Sequence, residues 1–189
     1  MLITNKQTLG RQKANGCRIK CGMTRLAFLS SLVLMACLAL MGQASPLNAQ
    51  IIKGLAYIID GDSLVIDDKP IRLFGIDAPE LKQNCYVDGV SWACGQAAKA
   101  YLTALVADGA LSCQTISKDQ YQRMLAICYD MEGHELNRSM VASGHAIAYL
   151  TYSRLYLQEE MAAKSQRLGI WQDPDFILPY QWRKMNHAR

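Results

Sequence analysis

The stretch that decides the fold is IIDGDSLVIDDKPIRLFGIDAPE, residues 58–80. Two apolar segments, residues 63–66 and 71–76, flank a polar turn at residues 67–70. Apolar runs that flank a short turn of this composition are typical of a β-hairpin. The sequence therefore predicts two adjacent antiparallel strands in this region.

Carboxylates lie just outside this predicted hairpin. Asp60 and Asp62 precede it, while Asp77 and Glu80 follow it. Closing the hairpin would bring these side chains to one end of a small sheet, where a cation must offset their repulsion. The plainer interpretation is an ordinary turn at Asp60 and a strand exit at Pro79, because proline cannot donate to a ladder.

The remaining elements predict an α+β fold that is mainly β. Strand patterns occur at residues 51–59, 111–116 and 124–129, and helix patterns at residues 96–108, 136–143 and 153–167. Together with the hairpin, this order gives five short strands with one helix between the third and fourth. Such an order is compatible with a five-stranded OB-fold barrel that has about three helices packed on it.

Four residues are candidate helix ends: Gly109, Gly144 and Gly169 as C-terminal caps and Ser153 as the N-cap of the last helix. Residues 171–189 contain two prolines and are expected to be mostly irregular.

The sequence predicts three regions. Residues 1–49 form a leader, residues 50–173 form the barrel domain, and residues 174–189 form a tail packed on that domain. We expect Trp171 and Trp182 to pack on the body of the domain.

The leader has the build of a secretory signal peptide. Basic residues precede an apolar run of 16 residues, 26–41, which ends in small residues. A membrane span is the competing interpretation, but the run is short for a hydrocarbon core that needs about 20 residues. Met23 is a candidate for the true start. We therefore expect export to the periplasm or the medium, with membrane attachment only if the leader is uncleaved.

Charge argues against a basic nucleic-acid-binding surface. The whole chain has a net charge of +4, but six basic residues and no acidic ones lie in the leader. The rest of the chain has 14 basic and 16 acidic residues, so its net charge is −2. An anionic partner must therefore be held by local chemistry, through a metal ion, specific arginines or aromatic stacking.

Four cysteines follow the leader: Cys85, Cys94, Cys113 and Cys128. An even number in an exported protein favours disulfides. The last two lie on strands that a hairpin would set opposite each other, so we expect Cys113 to pair with Cys128 and Cys85 with Cys94. A zinc site, which lacks a C-x-x-C pair here, and free buried thiols are the alternatives.

Five motifs in order carry a resemblance to a known family. They are DGDS at 60–63, RLFGIDAPE at 72–80, DQYQRMLAICY at 119–129, LNRSMVASGHAIAY at 136–149 and LGIWQDP at 168–174. This order resembles the staphylococcal nuclease (thermonuclease) family over about residues 51–173. The resemblance implies a nuclease that hydrolyses phosphodiester bonds in DNA and, as a further substrate, RNA.

The resemblance also implies a calcium ion. Asp62 and Asp77 would supply carboxylate ligands, the main-chain carbonyl of Ala78 a third ligand, and Asp60 an outer or water-mediated contact. Hard oxygen donors suit such an ion, which can act as Lewis acid and template for an attacking water. The family often has threonine at Ala78, but a main-chain ligand tolerates this change.

By the same resemblance, Glu80 would act as general base or position the water. Arg72 and Arg123 would clamp the phosphate, since a planar guanidinium offers parallel donors to the charge of the transition state. The plainer interpretation pairs Arg72 with Asp77 or Glu80, and Arg123 with Asp119 in a solvated turn.

Aromatic residues would contact the nucleic acid in such a site. Tyr121 matches a phosphate-contacting tyrosine of the family, and Tyr149 and Tyr152 lie near its base-stacking tyrosines. Gln122 stands where the family usually has glycine, which makes the conformation of that turn an open question.

A non-catalytic binding module and a membrane-held structural protein are the alternative function classes. The presence of Arg72, Glu80 and Arg123 together favours the enzyme over a barrel that has lost its acids. No stable protein partner is expected, and the protein is expected to be a monomer.

Overall fold

The computed structural model describes residues 50–106 and 109–187. Five strands close into a barrel in the order β1-β2-β3-β8-β7. Their bounds are β1 Ile51–Ile58, β2 Ser63–Ile66, β3 Lys69–Leu73, β7 Ala110–Lys118 and β8 Met124–Tyr129. The prediction of a five-stranded OB-fold barrel is confirmed.

The predicted hairpin is formed by β2 and β3. Its turn is the pair Asp67 and Asp68, with φ of 48° and 59°. Positive φ at both central residues matches the right-handed twist of the flanking strands, and aspartate tolerates that conformation better than most residues. The resulting register sets Ser63 opposite Arg72.

The barrel closes through one parallel and one long-range antiparallel pairing. Strand β3 runs parallel to β8, which places Arg72 beside Leu125. Strand β1 pairs with β7, which joins Ile51 to Gln114. Arg72 therefore lies in the middle of three adjacent strands, β2, β3 and β8.

Apolar side chains from alternate strand positions fill the barrel. Ile66, Ile71, Leu73, Leu111 and Ala126 are at most 1% exposed. Burial of this many branched side chains supplies the main favourable term in folding, at about 25 cal/mol per Å². The polar residues at the strand ends are thereby held on a rigid frame.

In the part of the chain that the structure describes, four α-helices and one 3-10 helix accompany the strands: α1 Cys94–Val106, α2 Leu136–Ala142, α3 Leu157–Ser165, the 3-10 helix Gly169–Gln172 and α4 Pro179–His187. Helix α1 lies between the third and fourth barrel strands, as predicted, although it begins two residues early. Gly144 follows α2 with φ of 72°, as expected of a residue that ends a helix.

Two predictions for the C-terminal part are wrong. The last predicted helix does not begin at Ser153, whose Oγ instead accepts a hydrogen bond from the amide of Leu155 in a local turn. Hydroxyl side chains readily stabilise such turns in place of helix. The tail is not mostly irregular either, because it contains the 3-10 helix and α4, with Pro179 at the helix start where its missing N–H costs nothing.

A small hairpin lies between the barrel strand β3 and helix α1. Its strands are β5 Cys85–Val87 and β6 Val90–Trp92. A disulfide between Cys85 and Cys94 closes it, and a second disulfide joins Cys113 to Cys128 across β7 and β8. Both predicted disulfide pairings are confirmed.

The tail packs on this hairpin. Cys85, Cys94, Ile147 and Ile170 form a second buried cluster, against which Trp171 and other residues of the tail pack. A short two-stranded ladder of β4 Ile76–Asp77 and β9 Ile147–Ala148 borders the cluster. The last two elements of the chain are thus part of the folded body.

The predicted leader, residues 1–49, lies outside the described residues. Within residues 50–106 and 109–187, no helix combines the length and apolar character needed to cross a bilayer.

Candidate active site

The predicted site residues gather at one cleft of about 760 Å³. It opens beside the ends of β2, β3 and β8 and the turn between β7 and β8. Nine predicted residues line it: Asp60, Asp62, Arg72, Ala78, Glu80, Tyr121, Arg123, Tyr149 and Tyr152. Asp77, the tenth, is fully buried and bonded to Arg72.

Arg72 lies between two buried carboxylates. Its Nη1 donates to Asp62 Oδ1 at 2.7 Å and its Nη2 to Asp77 Oδ1 at 2.8 Å. Asp62 directly precedes β2 and Asp77 is the last residue of β4, so the hairpin register and the chain that leaves β3 together bring them to one guanidinium. The predicted gathering of carboxylates around a cation is confirmed in its geometry.

Backbone and hydroxyl groups fix the orientation of Asp62. The amide of Ala78 donates to Asp62 Oδ2 at 3.0 Å, and the Ser63 hydroxyl donates to Oδ1 at 3.0 Å. The amide of Asp62 in turn donates to Asp60 Oδ1 at 3.0 Å, which closes a local turn. A carboxylate that accepts several hydrogen bonds has a fixed orientation before any ligand binds.

Burial and neighbouring charges shift the pKa values of the ionisable groups in this cluster. Burial, together with the charge of Asp62, raises the pKa of Asp60 to about 6. Burial also raises the pKa of Asp77, with Asp62 adding to the effect against the two arginines. Although burial disfavours its charge, Asp62 and Asp77 raise the pKa of Arg72 above its ordinary value.

Glu80 lies at the rim of the cleft, with a side chain that is 33% exposed. Its amide donates to the Oε1 of Gln83 at 3.2 Å, and Gln83 is itself buried. Gly95, at the start of α1, packs directly against the Glu80 carbonyl, where an added Cβ would come within 1.8 Å of the oxygen. The backbone that carries Glu80 is therefore rigidly placed, and its partly exposed carboxylate is held at the rim by Arg183.

Arg123 reaches the cleft from the turn between β7 and β8. Its Nε donates to Asp119 Oδ2 at 2.7 Å, and its guanidinium carbon lies 5.5 Å from the centre of the Tyr121 ring. The turn places Gln122 at φ of 65°, a left-handed conformation that explains why glycine suits this position. The Asp119 contact uses only Nε, so both terminal amino groups keep the fork that binds a phosphate.

The three tyrosines lie at the mouth of the cleft. Tyr149 and Tyr152 pack edge to face with ring centres 5.0 Å apart, and the Tyr149 amide donates to the Gly75 carbonyl. Tyr121 and Tyr152 are about 70% exposed. Exposed aromatic rings beside a cleft of this kind can stack on bases.

Arg183 is a residue of the cleft that the sequence analysis missed. It is carried by α4 and donates to both oxygens of Asp77, each at 3.1 Å, and to Glu80 Oε1 at 2.7 Å. No local pattern around position 183 indicates this role. The signal that could have indicated it is Pro179 as the first residue of a helix, but residues 171–189 were expected to be mostly irregular.

Comparison with known proteins identifies the family. The sequence model of the staphylococcal nuclease homologue family matches residues 70–173, which is more than half of the chain. The chain belongs to the staphylococcal nuclease family.

Relatives with nuclease names support this assignment. An uncharacterized endonuclease of Haemophilus influenzae is 37% identical over 134 residues, which cover 67% of this chain and 70% of that protein. The micrococcal nuclease of Shigella flexneri is 31% identical, over 67% of this chain and 77% of that protein. The succinoglycan biosynthesis protein ExoI of Rhizobium meliloti is 34% identical, over 65% of this chain and 66% of that protein. This member of the staphylococcal nuclease family is a nuclease, and its substrate is nucleic acid.

The donor set of the cleft fits a hard divalent cation, as members of this family generally require a metal. Asp62 and Asp77 offer buried carboxylate oxygens, and Asp60 lines the same cleft. Oxygen ligands without sulfur or imidazole suit calcium or magnesium. The guanidinium of Arg183 pairs with both oxygens of Asp77.

A second group of acidic and imidazole side chains lies in the turn that follows β8. Asp130, Glu132 and His134 each offer a ligand atom within 4.8 Å of the others. Hydrogen bonds within the turn explain this arrangement, since Asp130 accepts from the amides of Glu132 and His134 and bonds the His134 ring at 2.8 Å. These exposed residues were not predicted as a site and lie outside the cleft.

Proposed function

We propose that this nuclease is an exported, calcium-dependent enzyme that hydrolyses phosphodiester bonds in DNA, with RNA as a further substrate. One observation carries the proposal: Arg72, Glu80 and Arg123 line the same cleft, with Asp62 and Asp77 behind them. This arrangement supplies a base, a clamp and ligands for an ion.

In the proposed reaction, Asp62, Asp77 and the main-chain carbonyl of Ala78 would hold calcium, with Asp60 as an outer contact. When bound, such an ion would polarise a phosphate oxygen and lower the pKa of the attacking water. Glu80, whose carboxylate is partly exposed at the rim, would accept the proton of that water or orient it.

Two arginines would bind the phosphate from different directions. Arg72 is held rigidly by Asp62 and Asp77, while Arg123 is oriented through its Nε by Asp119. Donors fixed before the reaction stabilise the charge that develops on the phosphate without reorganisation. Tyr121, Tyr149 and Tyr152 would hold the nucleotides that flank the scissile bond.

The same contacts bear on the plainer interpretation of both arginines. The pairs Arg72–Asp77 and Arg123–Asp119 that it predicts are present. Both pairs also orient the guanidinium toward a common cleft, which a purely structural pair does not require. A non-catalytic binding module would have no use for Glu80 at the rim between them.

Export is supported by the leader pattern and by the disulfides. Disulfides form and persist mainly in oxidising compartments, and this chain has Cys85–Cys94 and Cys113–Cys128. N-terminal sequencing of the protein recovered from periplasm and medium tests this part of the proposal. A mature chain that begins near residue 50 supports export, whereas an intact leader in the membrane fraction contradicts it.

Digestion of single-stranded DNA with calcium or with chelator tests the chemistry. We expect activity only with calcium, and a loss of turnover of about 10²–10⁴-fold in Glu80→Gln and about 10²–10³-fold in Arg72→Lys. Glu132→Gln is the matched control, because this carboxylate is 83% exposed and outside the cleft. Full activity in chelator, or an unchanged rate for Glu80→Gln, contradicts the mechanism.

A further inference from the structure

Arg183 forms a bidentate ion pair with Asp77, which is the most deeply buried carboxylate of the site. Its Nη1 and Nη2 each lie 3.1 Å from a different oxygen of Asp77. The same Nη1 donates to Glu80 Oε1 at 2.7 Å. One guanidinium therefore engages a residue from the ion site and the residue proposed as base.

These contacts occupy the groups that a divalent cation and its water would use. Asp77 Oδ1 already accepts from Arg72, so Arg183 adds a second donor to Oδ1 and the first to Oδ2. A guanidinium and a metal ion at neighbouring oxygens repel each other strongly in a site of low dielectric. Arg183 is the donor to Oδ2 of Asp77, so an ion that takes this oxygen must replace Arg183 there, whereas Arg72 bonds Oδ1 and can stay.

We propose that Arg183 is an internal competitor for the divalent cation. In the metal-free protein it neutralises Asp77 and Glu80, and the ion displaces it when it binds. This inference rests on the proposed function, because it takes Asp77 as a ligand and Glu80 as the base.

Arg183 is suited to leave, whereas Arg72 is not. The side chain of Arg183 is 30% exposed and lines the cleft, while that of Arg72 is 16% exposed on a central strand. Displacement therefore needs only a swing of the Arg183 side chain into the cleft. The position of Arg72 stays fixed by Asp62 whichever cation is present.

The tail holds Arg183 within reach. Buried Gln83 donates to the carbonyl of Ile177 at 2.6 Å, two residues before α4 begins. The same Gln83 accepts from the amide of Glu80. The side chain of Gln83 thus bonds both the tail and the backbone of Glu80. This shared contact holds Arg183 close to Glu80.

Competition of this kind lowers the apparent affinity for the ion. Only the fraction of molecules in which Arg183 has left Asp77 is competent to bind, and the observed dissociation constant rises in proportion. Removing the guanidinium makes every molecule competent. The affinity for calcium should then increase.

Isothermal titration of the metal-free protein with calcium tests this inference. We expect Arg183→Ala to bind calcium at least about tenfold more tightly than the wild type, since it no longer breaks charged hydrogen bonds on binding. Arg183→Lys should be intermediate, because one ammonium cannot span both oxygens of Asp77. Lys184→Ala removes the same charge from the neighbouring exposed position and should keep the wild-type affinity.

Thermal unfolding with and without calcium separates competition from a merely structural role. In chelator, Arg183→Ala should be less stable than the wild type, because Asp77 loses a partner. Saturating calcium should raise its melting temperature more than that of the wild type, since at equal calcium concentration the stabilisation of the folded state grows with the logarithm of the affinity. A structural role predicts the same deficit under both conditions and an unchanged affinity, which would overturn the inference.

The variant Asp77→Asn distinguishes a failure of the competition by Arg183 from a failure of the proposed ion site. If it abolishes calcium binding while Arg183→Ala and Arg183→Lys bind like the wild type, competition by Arg183 is overturned and the ion site stands. If neither the wild type nor Arg183→Ala binds calcium, both the ion site and the inference are overturned.

Discussion

At the scale of single residues, the site is a cluster of carboxylates that the fold holds closer than their charges favour. Asp60 shows this most clearly, because burial and the charge of Asp62 raise its pKa to about 6. Between the ordinary aspartate pKa of about 4 and this value, the folded protein binds more protons than the unfolded chain. Stability of the metal-free protein should therefore fall as pH rises through this window.

Asp60→Asn should remove that pH dependence. Asparagine keeps the Oδ1 acceptor for the Asp62 amide but carries no charge, so it resembles protonated Asp60. In chelator we expect the variant to gain about 1–3 kcal/mol over the wild type at pH 7 and little at pH 4, as measured by urea unfolding. Asp68→Asn, an exposed residue of the hairpin turn, is the matched control; an equal gain at both pH values in Asp60→Asn would argue against this account.

Residues on the central strands were predictable from sequence, and Arg183 was not. The hairpin pattern brings Asp62 to Arg72, because the turn fixes the register, and the chain that leaves β3 brings Asp77 to the same guanidinium. Arg183 lies more than 100 residues after Asp77 in the sequence, and the two meet only after the tail has packed on the body. Such a contact has no local pattern, since it depends on tertiary packing rather than on periodicity.

At the scale of elements, the disulfide-closed hairpin β5–β6 supports the C-terminal tail. The amide of Tyr86 on β5 donates to Asp173 Oδ2 at 2.8 Å, and Trp171 packs against Phe176 beside the Cys85–Cys94 cluster. The tail was expected to be irregular because its prolines interrupt periodicity. Docking on this hairpin lets a nine-residue helix form there that would be too short to be stable alone.

Replacing both Cys85 and Cys94 with alanine should loosen that helix. In the chain-entropy account each disulfide contributes about 2–3 kcal/mol at these loop lengths, but only this one lies under the tail. We expect amide hydrogen exchange in Pro179–His187 to rise in this variant and to change much less in Cys113→Ala/Cys128→Ala. The second variant is the matched control, and equal exchange in the two would show that the hairpin does not support the tail.

At the scale of the whole molecule, the net charge of residues 50–189 gives the nuclease no general attraction for nucleic acid. Residues 50–189 have a net charge of −2, and the cations of the cleft that remain for a substrate are Arg72, Arg123 and Lys118. Few phosphates can then be neutralised, so few counterions are released on binding. Nucleic acid should be held mainly by the cleft itself and by its tyrosines.

Binding of single-stranded DNA should therefore depend weakly on salt. With two or three phosphates neutralised, the logarithm of the binding constant should fall with a slope of about −1.4 to −2.1 against the logarithm of salt concentration. Fluorescence anisotropy with Glu80→Gln in calcium measures this slope without cleavage. Lys118→Gln should reduce it by about 0.7, and a slope several times steeper in Glu80→Gln would require a basic surface that the sequence lacks.

The way in which the barrel closes also has a kinetic consequence. Strand β1 is made before the other barrel strands, but its partner β7 lies some 60 residues later in the sequence. Strand β3 likewise precedes its partner β8 by more than 50 residues. Loop-closure entropy must be overcome before either pairing becomes favourable, which slows folding. Until then, the hairpin β2–β3 and strand β1 have unpaired edges. A chain that crosses a membrane unfolded would benefit from a chaperone that covers those edges until β8 has paired.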